Sequence, residues 1–364
     1  MDQAGAALAR LGWDDRLTGL HAAIAPDLDP GRILAEDRGR YLVGTARGEQ
    51  AGSPSGKLRY AAEADASVDW PAGGDWVGLE PSAGAGEALV HTVLPRRSAV
   101  VRRAPSDRGS PTQVLAANVD SVFIVSSLNG ELNLRRLERY LAVAWDSGAT
   151  PVILLSKADL GDDVAGRVAE VETVGGGVEV VPVSVVSGDG LDRVRSYLAP
   201  GRTVVFVGSS GVGKSSLVNA LAGAPLLVTA AIREDDARGR HTTPRRQLLR
   251  LADGLVIDTP GLRELGVLDE DGVATAFGDV EGYAAGCRFV DCEHGSEPGC
   301  AVRAAIAEGR LPATRLEGYR KLRREARRAA LETDAVARRA ERKRWSAICR
   351  SVDVHMKAKY GDQR

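Results

Sequence analysis

"VILLSKADL" (residues 152–160) is an apolar run that ends in Ser156-Lys157-Ala158-Asp159, and about fifty residues later comes "VVFVGSSGVGKSS" (204–216). The second stretch has phosphate-loop spacing: Gly208-Ser209-Ser210-Gly211-Val212-Gly213-Lys214-Ser215, then Ser216, with a strand-like run before it and a helix-like run after it. Glycines allow consecutive backbone N–H groups to turn toward phosphate oxygens at the start of a helix. Lys214 is expected to reach the β- and γ-phosphates and the Ser215 hydroxyl to ligate Mg2+. A base-reading loop placed ahead of the phosphate loop is the reverse of the ordinary GTPase order.

The base choice rests on Asp159, whose carboxylate accepts two hydrogen bonds from the N–H edge of guanine, a pattern adenine does not offer. The Lys157 stem lies along the ring, and Ser156 stands where asparagine is usual. "VVPVS" (180–184) supplies Ser184, whose backbone is expected to meet the guanine oxygen. "LVIDTPGL" (255–262) places Asp258 at a strand end, where it holds Mg2+ through water, and Gly261, whose N–H meets the γ-phosphate. Between the two, "REDDARGRHTTPRRQ" (233–247) offers Thr242 or Thr243 to complete the Mg2+ shell. Leu262 follows Gly261 where many GTPases carry a water-positioning glutamine. His241 is the candidate for that task, against the alternative of a solvated loop histidine.

Cys287-x4-Cys292-x-His294-x5-Cys300 gathers four ligands of zinc-favouring type in fourteen residues. A closed Cys3His tetrahedron implies one structural zinc, since no coordination position is left for water. Cys349 stands alone and reads as a helix thiol.

With 364 residues, 44% hydrophobic content and a net charge of −1, the chain reads as a soluble protein of two or three domains. No run approaches the ~20 apolar residues of a membrane span, and the N-terminus lacks a secretion signal, so a cytoplasmic protein without a membrane partner is expected; a monomer is the default expectation. Residues 313–350 hold thirteen Lys/Arg against five Asp/Glu, an excess of eight, so the remainder carries −9. That basic segment (315–352) reads as a helix, either a solvated face or a surface for a nucleic-acid backbone.

The expected division is a helical N-terminal extension (1–30) closed by Pro30-Gly31, a small barrel of oligonucleotide-binding (OB) type (31–104), an α/β P-loop domain (105–271) and a zinc-binding, mainly helical domain (272–364). The barrel strands are sought in "GRILAE", "RYLVGTA", "LRYAAEA", "GDWVGLE", "ALVHTVL" and "SAVVRR". A polar linker, "APSDRGSPTQ" (104–113), precedes strands alternating with helices, the pattern of a mostly parallel sheet.

"SKAD", "GSSGVGKSS", "GRHTT", "DTPGLRE" and the cysteine spacing, in this order, resemble the circularly permuted bacterial GTPase family called RsgA or YjeQ. The hydrophobic residue after the Asp-x-x-Gly motif matches too. The resemblance implies a late assembly factor that binds the maturing small ribosomal subunit and its rRNA through barrel and zinc module, hydrolyses GTP to GDP when stimulated, and leaves. A permuted GTPase for large-subunit assembly and a passive GTP-dependent RNA-binding switch are the rival readings. Because "DTPGL" leads directly into the zinc module, permutation is expected to pass switch movement to an RNA-contacting element.

Overall fold

The computed structural model describes residues 3–333, apart from residues 38, 66–67, 69, 82–85, 104–111, 129–131, 228–245 and 259–269. After helices α1 (Gln3–Arg10) and α2 (Asp15–Ile24) come strands β1 (Asp29–Asp37), β2 (Arg40–Thr45) and β3 (Gly48–Pro54), helix α3 (Gly56–Ala64), and strands β4 (Trp76–Glu80) and β5 (Ala88–Val93). The strands pair in the order β1-β2-β3-β5-β4, and β4 pairs back onto β1. That closes a five-stranded barrel and removes its free edges. Ile33, Tyr41, Val43, Val77, Leu79 and Val90 fill it. Gly31 belongs to this packing, because an added Cβ would lie 2.5 Å from Leu79 Cδ1.

Several expectations change here. Pro30-Gly31 lies inside β1 and does not close the helical lead-in. "LRYAAEA" is helix α3, not strand: Ser55 Oγ caps it by accepting from Leu58 N at 3.2 Å, and Leu58 is its one buried residue. "SAVVRR" forms β6 (Ala99–Arg103), which pairs with β7 (Thr112–Ala117) outside the barrel, so Thr112 and Gln113 are strand and not linker.

The second half of the chain builds the α/β sheet from β8 (Ser121–Ser127), β9 (Thr150–Ser156), β10 (Val180–Val183), β11 (Thr203–Val207), β12 (Arg246–Arg250) and β13 (Leu255–Asp258). Their order is β10-β9-β8-β11-β13-β12, all parallel except β12. Continuous Val/Ile/Leu/Phe runs suit strands covered on both faces. Alternate residues face opposite layers: Phe123, Leu154 and Phe206 meet helices α6 (Leu191–Arg195) and α7 (Lys214–Ala222). Ile124, Ile153 and Val205 belong to the other core, with helix α4 (Leu134–Asp146). Helix α5 (Val164–Gly175) contributes Val171 to that second core.

Barrel and α/β sheet are one continuous ladder. β1 carries a bulge between Ile33 and Ala35. Before the bulge it pairs with β4, and beyond it Ala35 and Glu36 pair with Gln247 and Arg246 of β12. A bulge bends its strand, and this one carries β1 from one sheet to the next. Arg246 Nη1 lies 3.4 Å from Glu36 Oε2 across the junction. The antiparallel β12 was not foreseen.

The C-terminal part consists of α8 (Glu270–Ala276), α9 (Gly278–Ala284), α10 (Ala301–Ala307) and α11 (Ala313–Thr333). It is clamped onto α4. Buried Arg315 donates to Glu138 Oε1 at 2.9 Å, to Asp279 Oδ1 and Oδ2 at 2.8 Å and to the Ala276 carbonyl at 2.8 Å. Arg135–Glu317 and Arg139–Glu325, each 2.9 Å, flank that centre. Burial pushes the Glu138 carboxyl upward while Arg315 pulls it back down. Arg323 and Arg327 pair with Glu270, and Arg320 donates to the Glu293 carbonyl. Several of the basic residues in 313–333 hold this part together, and the segment is helical as expected up to Thr333; residues 334–352 lie outside the described residues. Gly272 lets α8 reach α4, since an added Cβ would sit 2.4 Å from the Ala142 carbonyl oxygen. Gly272→Ala is expected to cost about 2 kcal/mol, the clash outweighing alanine's helix preference. Denaturant unfolding checks this; a variant as stable as the parent would show that α8 is not held this closely.

Candidate nucleotide edge and metal cluster

Parallel strands gather at their C-terminal edge what the chain separates. β9 ends at Ser156, β10 leads into Ser184, β11 into Gly208, and β13 ends at Asp258. The chain runs outward from β8 to β9 and β10, then returns to the other side of β8 as β11. That reversal makes the β8/β11 boundary a topological switch point, the ligand-binding crevice of open α/β sheets. The phosphate loop emerges there.

Within the loop, Gly208 has φ +146°, and a Cβ on it would meet the Val125 carbonyl oxygen at 2.3 Å. No other residue fits. Gly213, at φ +95°, is the last residue before α7. Lys214 Nζ donates to the carbonyls of Gly208 (2.8 Å) and Ser209 (2.6 Å), folded back over its own loop. Burial pushes the Asp258 carboxyl upward, and Lys214 opposes the shift. Ser215 and Asp258 are both half-buried. A hydroxyl and a carboxylate beside a lysine suit a hard, oxygen-seeking cation such as Mg2+.

The base loop turns on Lys157, left-handed at φ 58°, a backbone state few non-glycine residues adopt. It starts the single helical turn Ala158–Leu160 and sets Asp159 beside β10. There the buried Ser184 donates its hydroxyl to Asp159 Oδ1 at 2.5 Å. Ser184 Oγ also accepts from the backbone N–H of Ser187 at 3.1 Å. Ser184 thus acts through its side chain as well as the backbone expected from sequence. Ser156, standing where asparagine is usual, is buried at the end of β9. Its hydroxyl donates to the Val212 carbonyl at 2.5 Å, tying the base loop to the phosphate loop.

Sequence reasoning missed Arg136. It lies in the first turn of α4, capped by Asn133, and its Nη1 donates to Ser209 Oγ at 2.6 Å. Only the amphipathic pattern of "NLRRLERYL" marked that helix, and nothing in it distinguishes Arg136 from Arg135 or Arg139. His241, Thr242, Thr243 and Gly261 lie outside the described residues.

Cys287, Cys292, His294 and Cys300 present four ligand atoms within 4.8 Å of one another. Cys287 Sγ lies 3.9 Å from Cys300 Sγ and 3.6 Å from His294 Nδ1, and Cys300 Sγ lies 3.5 Å from that nitrogen. A zinc tetrahedron with bonds of ~2.3 Å to sulfur and ~2.0 Å to nitrogen has edges of about 3.8 Å and 3.5 Å. The cluster fits zinc through Nδ1. His294 reaches it from a left-handed backbone (φ 61°), and burial lowers its proton affinity, favouring the neutral ring that ligates.

Fold and site together define a circularly permuted P-loop GTPase with a barrel before it and a Cys3His module after it. A family model described as "RsgA GTPase" matches residues 93–268. The small ribosomal subunit biogenesis GTPase RsgA of Opitutus terrae is 47% identical over 94% of this chain and 95% of its own. The protein of the same name from Streptomyces coelicolor is 46% identical over 98% and 97%. The crystal structure of YjeQ from Thermotoga maritima, 26% identical, covers 82% of this chain and 98% of its own with a TM-score of 0.61. That of YloQ, described as a circularly permuted GTPase, shares the fold at 23% identity and a TM-score of 0.57. The chain belongs to the RsgA GTPase family. Among the described residues no helix is long and apolar enough to cross a membrane.

Proposed function

We propose that this chain is a cytoplasmic, monomeric GTPase that binds the maturing small ribosomal subunit and its rRNA, and hydrolyses GTP when that subunit stimulates it. The observation that carries the reading is the sheet edge. Asp159 backed by Ser184, and the glycine loop crossed by Lys214, stand at the C-terminal edge of one parallel sheet, tied together by the Ser156–Val212 hydrogen bond. The names of the O. terrae and S. coelicolor relatives support the partner.

In this reading residues 156–159 and Ser184 take guanine, and residues 208–216 take the phosphates. Ser215 and Asp258 would hold Mg2+ together with Thr242 or Thr243, and a bound ion would supply positive charge beside the phosphates. Gly261 meets the γ-phosphate, and His241 orients the attacking water.

The test is steady-state GTP hydrolysis alone, with small subunits and with large subunits, using Lys214→Ala as the blank. Stimulation on the order of 100-fold or more by small subunits only is the expected result, in the range that external activation gives GTPases. Equal stimulation by large subunits, or none by either, would overturn the reading.

A further inference from the structure

We propose that Arg136 is a positioning residue of the nucleotide site, a second cation behind the phosphate loop that raises the preference for GTP over GDP. The inference rests on reading residues 208–216 as the phosphate loop.

Two cations converge on one loop residue. Ser209 gives its carbonyl to Lys214 Nζ at 2.6 Å and its hydroxyl to Arg136 Nη1 at 2.6 Å. The neighbours of Arg136 on α4 are neutralised: Arg135 by Glu317 and Arg139 by Glu325, each at 2.9 Å. Arg136 has no carboxylate partner among the described residues. It is therefore a cation whose contact at the site is a neutral hydroxyl, and its field is left for the ligand.

The helix turn that carries it is fixed. Asn133 caps the helix by accepting from Arg136 N at 3.0 Å, and the next turn is locked by the buried Glu138–Arg315 pair. The guanidinium itself is exposed, hydrogen-bonded to Ser209 Oγ, and charged at every working pH. GTP brings one more negative charge than GDP. A cation next to the loop therefore favours the triphosphate, and added salt screens the effect because Arg136 is exposed.

The experiment compares affinities for GDP and a non-hydrolysable GTP analogue at low and high salt, in the parent chain and in Arg136→Ala, Arg136→Lys, Ser209→Ala and Lys214→Ala. Arg136→Ala is expected to weaken the analogue about 5-fold more than GDP, the upper end of what one solvent-exposed charge pair contributes. Arg136→Lys should restore most of that preference, Ser209→Ala should lose less of it than Arg136→Ala, and the differences should shrink at high salt. Equal weakening of both nucleotides, no rescue by lysine, or no change at all would overturn the proposal. Lys214→Ala separates the two levels. If it leaves nucleotide binding intact, the phosphate-loop reading itself fails. If it abolishes binding while Arg136→Ala changes nothing, only the role of Arg136 fails.

Discussion

Cys300→Ser is expected to release the zinc and lower the unfolding free energy by about 4 kcal/mol, roughly 10 °C in Tm. The reason is the scarcity of anything else to order the module. The sixteen residues between Ala284 and Ala301 form no helix or strand. Cys292, His294 and Cys300 are buried, but Phe289 is 41% exposed and Val290 projects fully into solvent. Fixing such a segment costs on the order of 1 kcal/mol per residue in backbone entropy, which little apolar burial offsets here. The metal supplies the difference. Cys300 stands at the N-cap of α10 without a side-chain cap hydrogen bond, so the metal bond is its tie to the rest of the module, and a capping serine offsets little of that loss.

The damage should follow contacts. The His294 ring packs beside Tyr319 of α11 with centroids 6.2 Å apart, and Tyr319 donates to Glu281 at 2.6 Å. The layer under α6 and α7 contains no residue of the zinc module. Cys300→Ser should therefore keep guanine-nucleotide affinity near that of the parent while small-subunit stimulation falls. Metal analysis, thermal unfolding and nucleotide titration on one preparation check all three. Retained zinc with an unchanged Tm would show that the cluster does not hold the module.

Much of this site was readable in the sequence because its chemistry sits where apolar runs stop. "VILLS", "VVPVS" and "LVID" carry a buried parallel strand into a polar residue and "TVVFVG" carries one into glycine, so the parallel fold brings them to one edge. The Cys3His spacing was equally plain, since its ligands are close along the chain. What stayed hidden depends on contacts between distant segments. β3, "GEQAGSP", has no β-branched or aromatic residue to announce a strand, and it is one only because the barrel supplies partners on both sides. "LRYAAEA" carries an apolar or aromatic residue at every second position as a strand would, yet the Ser55 cap turns it into a helix. β12, five residues long, is fixed by β13 on one side and the bent end of β1 on the other. Charge counting could not tell that Arg315 is buried among carboxylates while Arg136 is left for the phosphate loop. That distinction belongs to the packing of α11 on α4. Permutation leaves the site unchanged for the same reason: strand packing sets its geometry, and chain order enters only through where the termini fall.

Asp159→Asn is expected to lower GTP affinity by about 100- to 1,000-fold and to transfer the preference to xanthosine triphosphate. Guanine presents two donors, the ring N–H and the exocyclic amino group, and a carboxylate accepts both. Asparagine offers one acceptor and one donor, so its oxygen keeps one guanine N–H while its amide N–H2 confronts the other donor, which loses its partner and meets a repulsive one. Xanthine carries a carbonyl in place of that amino group and matches the amide on both atoms. Ser184 fixes which way the amide points. Its hydroxyl donates to the Oδ1 position at 2.5 Å, so the amide oxygen keeps that place and the N–H2 takes the other. Ser184→Ala added to Asp159→Asn should consequently weaken xanthosine triphosphate binding again, by releasing the amide to rotate. Competition titrations of GTP, xanthosine triphosphate and ATP on the parent and both variants decide the matter. Unchanged GTP affinity in Asp159→Asn would mean that residues 156–159 do not read the base, and the guanine assignment would fall with them. Loss of both nucleotides without rescue would mean that Asp159 holds the loop in shape and does not meet the purine edge.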